Sequence, residues 1–194
     1  MRAFHGKDYD GQNSGTDNLF MFEILAIACF IVAPILLLAL SLIDLKHWIL
    51  PDELNLALGI TGALFHFSTA YRYIDMQTMI IGGLVGAGLL YGIRYFANKH
   101  YGRDALGLGD VKLLGAAGLW LGTDGVLQAI TLGAMAGLVH GVIYAACLSF
   151  KNKTAFTIRD LSIPAGPGFA VGILCVGIYL YHDFFKEIIN VFSS

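Results

Sequence analysis

Long apolar runs separated by short polar stretches dominate the chain. They cover 19–43, 54–70, 79–96, 105–121, 126–150 and 161–181, and a helix needs roughly 20 mostly apolar residues to cross a hydrocarbon core. The pattern predicts an all-α integral membrane protein with about six transmembrane helices. The fourth run is the least apolar, because Asp110 and Lys112 lie in it and glycines interrupt it. A polar N-terminal arm is expected over 1–18, the polytopic membrane domain over 19–185 and a C-terminal tail over 186–194. The first run exceeds the core of a signal peptide, about 7 to 15 residues, so it is expected to be retained.

Composition supports the same class. Of 194 residues, 57% are hydrophobic and 13% charged, with a mean hydropathy of +0.69, whereas soluble domains carry about a quarter charged residues. The 24 glycines suit helices that pack closely through small residues. Gly82 with Gly86, and Gly83 with Ala87, have the four-residue spacing of such contacts. A formal charge of −2 without a basic run leaves no surface for nucleic acid. Cys29, Cys147 and Cys175 are far apart in apolar sequence, which fits neither a disulfide framework nor paired zinc ligands; they are expected to be small buried hydrophobes. His66 and His140, each alone in an apolar run, read as helix-to-helix hydrogen-bonding residues. No metal and no cofactor are expected.

Six spans put the loops after spans one, three and five on one side of the bilayer. Lys46, Arg94, Lys99, Arg103, Lys112, Lys151, Lys153 and Arg159 fall there, against Arg2, Lys7, Arg72 and Lys186 opposite. The positive-inside rule makes the first side cytoplasmic and leaves both termini outside. Ionisable residues embedded in a membrane are costly and mark functional sites. Asp44 ends the first run and Asp110 opens the fourth. Spans two and three form one out-and-back excursion, so both aspartates face one side whichever way the chain is oriented. Two carboxyls held close share a proton, because both cannot ionise easily. One then takes a proton from water while the other hydrogen-bonds the carbonyl under attack. That chemistry hydrolyses a peptide bond without metal or covalent nucleophile.

The surrounding residues add a resemblance. Asp44, followed at a distance by Leu50-Pro51-Asp52, together with Gly107-Leu108-Gly109-Asp110-Val111-Lys112, resembles the prepilin peptidases, the type IV leader peptidases among the Gly-X-Gly-Asp aspartic proteases. Pro164-Ala165-Gly166-Pro167 is similar to the Pro-X-Gly-Pro segment near the last span of that family. The resemblance implies a membrane aspartic endopeptidase that removes a basic leader from pilin-like precursors at the cytoplasmic face of the inner membrane. Its catalytic pair maps onto Asp44 and Asp110, and Asp52, Gly107, Gly109, Lys112, Pro164 and Gly166 support the motifs. The implied partners are a prepilin-like substrate with a hydrophobic helix and the lipid bilayer; the sequence leaves the oligomeric state open. Larger members carry two Cys-X-X-Cys pairs associated with methylation of the new N-terminus; none occurs in this sequence, so peptidase activity without methyltransferase activity is expected.

Asp52 is read as capping or shaping the turn after Pro51. Lys112, two residues after Asp110, is read as pointing away from it, toward lipid phosphate or a nearby carboxylate. Trp48 suits an interfacial anchor, and Pro34 a kink in the first span. The alternative functions are a small ion- or proton-coupled transporter, in which the same charges would be relay groups, and a non-catalytic pilus-assembly subunit.

Overall fold

The computed structural model describes residues 10–102, 106–152 and 164–193, and among them every regular element is helical. The helices are α1 (Asp10–His47), α2 (Asp52–Ser68), α3 (Met76–Tyr101), α4 (Leu108–Asn152), α5 (Gly166–Leu180) and α6 (His182–Ser193). Helix α1 already runs through residues 10–18 of the expected polar arm and continues through Pro34 without an assigned break. The 151–160 loop lies outside the described residues, apart from Lys151 and Asn152 at the end of α4.

Helix α1 turns one side toward the bundle. Ala26, Cys29, Ala33, Leu37, Leu40 and Asp44 are all buried, whereas Ile31, Ile35, Leu38 and Leu42 are exposed. Each set recurs every three or four residues, so each occupies one helical stripe. Ala26, Cys29 and Ala33 turn inward together with Leu37 and Leu40, and the outward stripe suits a lipid-facing surface. Asp44 continues the inward stripe. Asn55, Leu58, Gly62, Phe65 and His66 form the corresponding buried stripe of α2.

Helices α3 and α4 meet backbone to backbone. A methyl group on Gly82 would lie 2.5 Å from the Gly122 carbonyl carbon and 2.6 Å from the Gly118 oxygen, and one on Gly86 would strike the Leu114 carbonyl. The Gly82 and Gly86 spacing read from the sequence is therefore a helix contact.

Helix α4 is broken at one residue, Gly122, with φ 67° and ψ −172°. Glycine takes this left-handed φ without the clash that a Cβ brings. The neighbours of α5 show that the chain turns back there. Helix α5 starts at Asp44, whose carboxylate accepts the Gly166 N–H at 2.9 Å, and Tyr181 at its far end donates its hydroxyl to the Trp120 carbonyl. It thus runs in the same sense as the first part of α4. Beyond Gly122 the order reverses: Gly125 faces Val176, Gly133 faces Phe169, and Gly137 faces Gly168.

Among the described residues three helical stretches are long and apolar enough to cross a membrane, Phe20–His47, Met76–His100 and Leu108–Cys147; a fourth is added if α5 and α6, bent by 65°, form one broken span. The chain is a multi-pass helical membrane protein by this measure. Helix α2, with 17 residues, is about 25 Å long at 1.5 Å per residue, at the short end of the range for a membrane-spanning helix. The fourth and fifth apolar runs meet at Gly122, where the chain turns back. The cysteines also depart from expectation: Cys29 is buried, but Cys147 and Cys175 are exposed.

Candidate active site

Asp44 and Asp110 are two of the four buried polar side chains among the described residues, at 5% and 6% exposure. They arrive from different helices. Asp44 stands one turn before α1 stops at Trp48, a residue with φ 62° whose N–H bonds back to the Asp44 carbonyl at 2.9 Å. Asp110 sits in the first turn of α4, on the same inward stripe as Leu113, Leu114, Ala117 and Trp120. The Asp44 carboxylate lies within electrostatic range of Asp110, so the two charges act on one another.

Glycines make room for both carboxylates. A Cβ on Gly166 would come within 2.6 Å of Asp44 Oδ2, and one on Gly107 within 3.0 Å of Asp110 Oδ2. The backbone N–H of Gly166 donates to Asp44, and Gly107 stands beside Asp110 Oδ2. Asp110 Oδ1 is buried with no hydrogen-bond partner among the described residues. A desolvated oxygen without a partner is costly, and a catalytic role is one of the reasons such a group is kept. Pro164 leads into α5, half-buried.

The remaining motif residues join the start of α2 to the start of α4. Lys112 Nζ pairs with Asp52 Oδ2 at 2.5 Å, both side chains well exposed; the nearby carboxylate weighed for Lys112 is thus Asp52. Asp52 is the first residue of α2, but Pro51 is the N-cap and no side-chain bond caps the helix. Gly109 presses on Leu50, with 2.7 Å between a Cβ built there and the leucine's own. Asn55, buried at 3% exposure, donates Nδ2 to the Gly109 carbonyl at 3.4 Å. The sequence reading passed over Asn55. Its signal was a polar residue on an otherwise apolar stripe, four positions into a helix opened by Pro51.

The opposite end of the bundle is closed by aromatic side chains. His66 Nε2 donates to the Trp120 carbonyl at 3.1 Å and lies 3.3 Å from the Tyr181 hydroxyl. Phe65 stacks on Trp120, with centroids 5.1 Å apart. His66 therefore links helices, as its position suggested, while His140 is exposed. Nearby, an apolar cavity of about 340 Å³ opens between α1, α4 and α5, lined by Phe30, Pro34, Leu37, Ile173 and Tyr181 among others. No three His, Cys, Asp or Glu side chains among the described residues gather as a metal site would require.

These features define a helical membrane protein with paired carboxylates buried at one end of its bundle. The sequence profile of the type IV leader peptidase family matches residues 31–142, more than half of the chain, and the chain belongs to that family. The matched stretch holds Asp44, Asp52, Gly107, Gly109, Asp110 and Lys112; Pro164 and Gly166 lie beyond it. The chain is similar to a protein called prepilin leader peptidase/N-methyltransferase from Xanthomonas campestris pv. campestris, at 32% identity over 77% of this chain and 47% of the relative. The protein of that name from Pectobacterium carotovorum subsp. carotovorum is 38% identical over 70% of this chain and 46% of its own length. The one from Escherichia coli K12 is 30% identical over 70% of this chain and 56% of its own. The chain spans about half the length of the first two. No solved structure matches the chain significantly.

Proposed function

We propose that the chain is a membrane-embedded aspartic endopeptidase that removes leader peptides from type IV prepilin-like precursors, with Asp44 and Asp110 as its catalytic pair. The observation that carries this reading is two buried carboxylates, brought from separate helices to one end of the bundle within range of each other's charge. The names of the relatives supply the substrate class, and the transporter and assembly-subunit readings gain no support from them.

In the proposed reaction a water sits between the two carboxyls and the scissile carbonyl. The ionised aspartate takes a proton from the water as its oxygen bonds to the carbonyl carbon, and the protonated aspartate donates to the carbonyl oxygen. The tetrahedral intermediate collapses as a proton passes to the departing nitrogen. The C–N bond breaks, and one water is consumed for each bond cut. Asp44, with the Gly166 N–H on Oδ2, suits the ionised role. Asp110, with one oxygen buried and unpartnered, suits the proton-bearing role, since an isolated buried charge is costly. Gly107 leaves room for the Asp110 carboxyl and Gly109 for Leu50.

The excess of Lys and Arg in the loops after spans one, three and five supports a cytoplasmic position for this end of the bundle. Membership of the type IV leader peptidase family supports the inner membrane as the location, and the charge bias supports an outside position for both termini. Only the peptidase half of the relatives' name is proposed for this chain, which holds no Cys-X-X-Cys pair.

The test is co-expression with a type IV prepilin, reading leader removal as a mobility shift. Asp44→Asn and Asp110→Asn should each abolish cleavage while the protein still accumulates in the membrane. Cleavage by either folded variant would overturn the assignment.

A further inference from the structure

The start of α2 meets the Asp110 turn at three points. Asn55 holds the Gly109 carbonyl, Asp52 pairs with Lys112, and Leu50 abuts Gly109. The residues contacted stand one before and two after Asp110. Gly107 and Gly109 have no side chains, so this turn has little of its own with which to anchor itself. Helix α2, by contrast, is fixed through Leu58, Phe65 and His66, all fully buried.

Asn55 is the buried polar member of this clamp, and its Oδ1 has no partner among the described residues. A half-satisfied buried carboxamide costs stability that a leucine of similar length would not. Packing alone therefore favours leucine at this place on an apolar stripe. What asparagine adds is one hydrogen bond, aimed at the carbonyl of the residue that precedes Asp110.

We propose that Asn55 is a positioning residue for Asp110, acting through the Gly109 carbonyl to set where the Asp110 carboxyl meets Asp44. The proposal rests on the catalytic reading of that pair. Losing one neutral hydrogen bond is a small change to the whole fold, whereas displacing a reacting group by a fraction of an ångström is felt strongly in the rate.

The test uses the full chain, purified with lipid, and a synthetic or recombinant type IV prepilin. Asn55→Leu should lower kcat by about 10- to 100-fold and leave KM within about twofold, because Asn55 does not touch the substrate. It should also move the limbs of the pH–rate profile, since the coupling of the two carboxyls depends on their separation. Asn55→His, whose ring N–H can donate from a similar place, should recover much of the rate. Wild-type kcat and an unshifted profile in Asn55→Leu would overturn the proposal. So would a kcat that falls only in step with the melting temperature and is not restored by histidine. If Asn55→Leu does not accumulate, Asn55→His is compared with Asn55→Ala, and equal rates in those two count against positioning. Asp110→Asn is run alongside: cleavage by that variant fells the catalytic reading and this proposal together, whereas its inactivity with full activity of Asn55→Leu fells the proposal alone.

Discussion

Replacing Gly166 with alanine separates catalysis from stability. The new methyl would stand 2.6 Å from Asp44 Oδ2, 3.1 Å from its Cγ and 3.3 Å from its Cβ, where ordinary contact begins near 3.4 Å. The carboxylate oxygen must therefore retreat by about 0.8 Å, the difference between 3.4 and 2.6, or α5 must withdraw as far. A misplacement of about 1 Å costs on the order of 100-fold in rate for a well-oriented group, so prepilin cleavage should fall by about 10- to 100-fold. Stability should change far less. Gly166 opens α5, where alanine is favoured over glycine by about 0.5–1 kcal/mol, partly offsetting an overpacking cost of about 1–3 kcal/mol. The net loss is then about 0–2.5 kcal/mol, a drop of at most about 10 °C in melting temperature at this size. Leader removal followed over time, together with a thermal melt of the same preparation, gives both quantities. Gly88→Ala is the control, because a Cβ there meets nothing within 4 Å. Wild-type cleavage by a folded Gly166→Ala protein would refute the claim that the position of Asp44 governs the reaction.

Other expectations follow from packing and charge. Gly82→Ala, with its methyl 2.5 Å from the Gly122 backbone, should destabilise by about 1–3 kcal/mol or more, visible as a lower melting temperature; a neutral result would refute the backbone contact between α3 and α4. Lys112→Met and Asp52→Asn each break an exposed ion pair, worth about 0–1 kcal/mol, so their melting temperatures should stay close to wild type and lose any difference in high salt. Asp75 caps α3 by accepting the Thr78 N–H at 3.0 Å, and hydrogen bonds from Thr78 hold its carboxyl below the ordinary range. Because the folded-state value is lowered, its contribution is present above about pH 4, the unfolded value, and is lost as pH falls through the folded one. Asp75→Ala should thus melt earlier than wild type near neutral pH, and the gap should close in acid; a gap independent of pH would count against the cap.

How much was legible in the sequence differs from residue to residue. The membrane class, the helical content, the Gly82 and Gly86 contact and the shared side of Asp44 and Asp110 follow from one-dimensional facts: run length, charge density, small-residue spacing and the parity of chain crossings. The inward face of α1 did not, since both its stripes are apolar and hydropathy cannot rank them. Once packed, Ala26, Cys29, Ala33, Leu37 and Leu40 face in, while Ile31 and Ile35 face out.

Three further features were settled only by folding. Lys112 and Asp52 lie 60 positions apart and Asn55 and Gly109 lie 54 apart, so neither pairing has any local signature. The reversal at Gly122 depends on a positive φ that the chain's many other glycines are equally free to adopt. The seat of Asp44 against Gly166 spans 122 positions and exists because α5 runs beside the first part of α4. Local sequence determined which residues carry charge into the membrane, because that is a property of composition along a run. Which groups meet that charge was decided by the tertiary structure, because hydrogen bonds and steric contacts act over a few ångströms between helices remote in the chain.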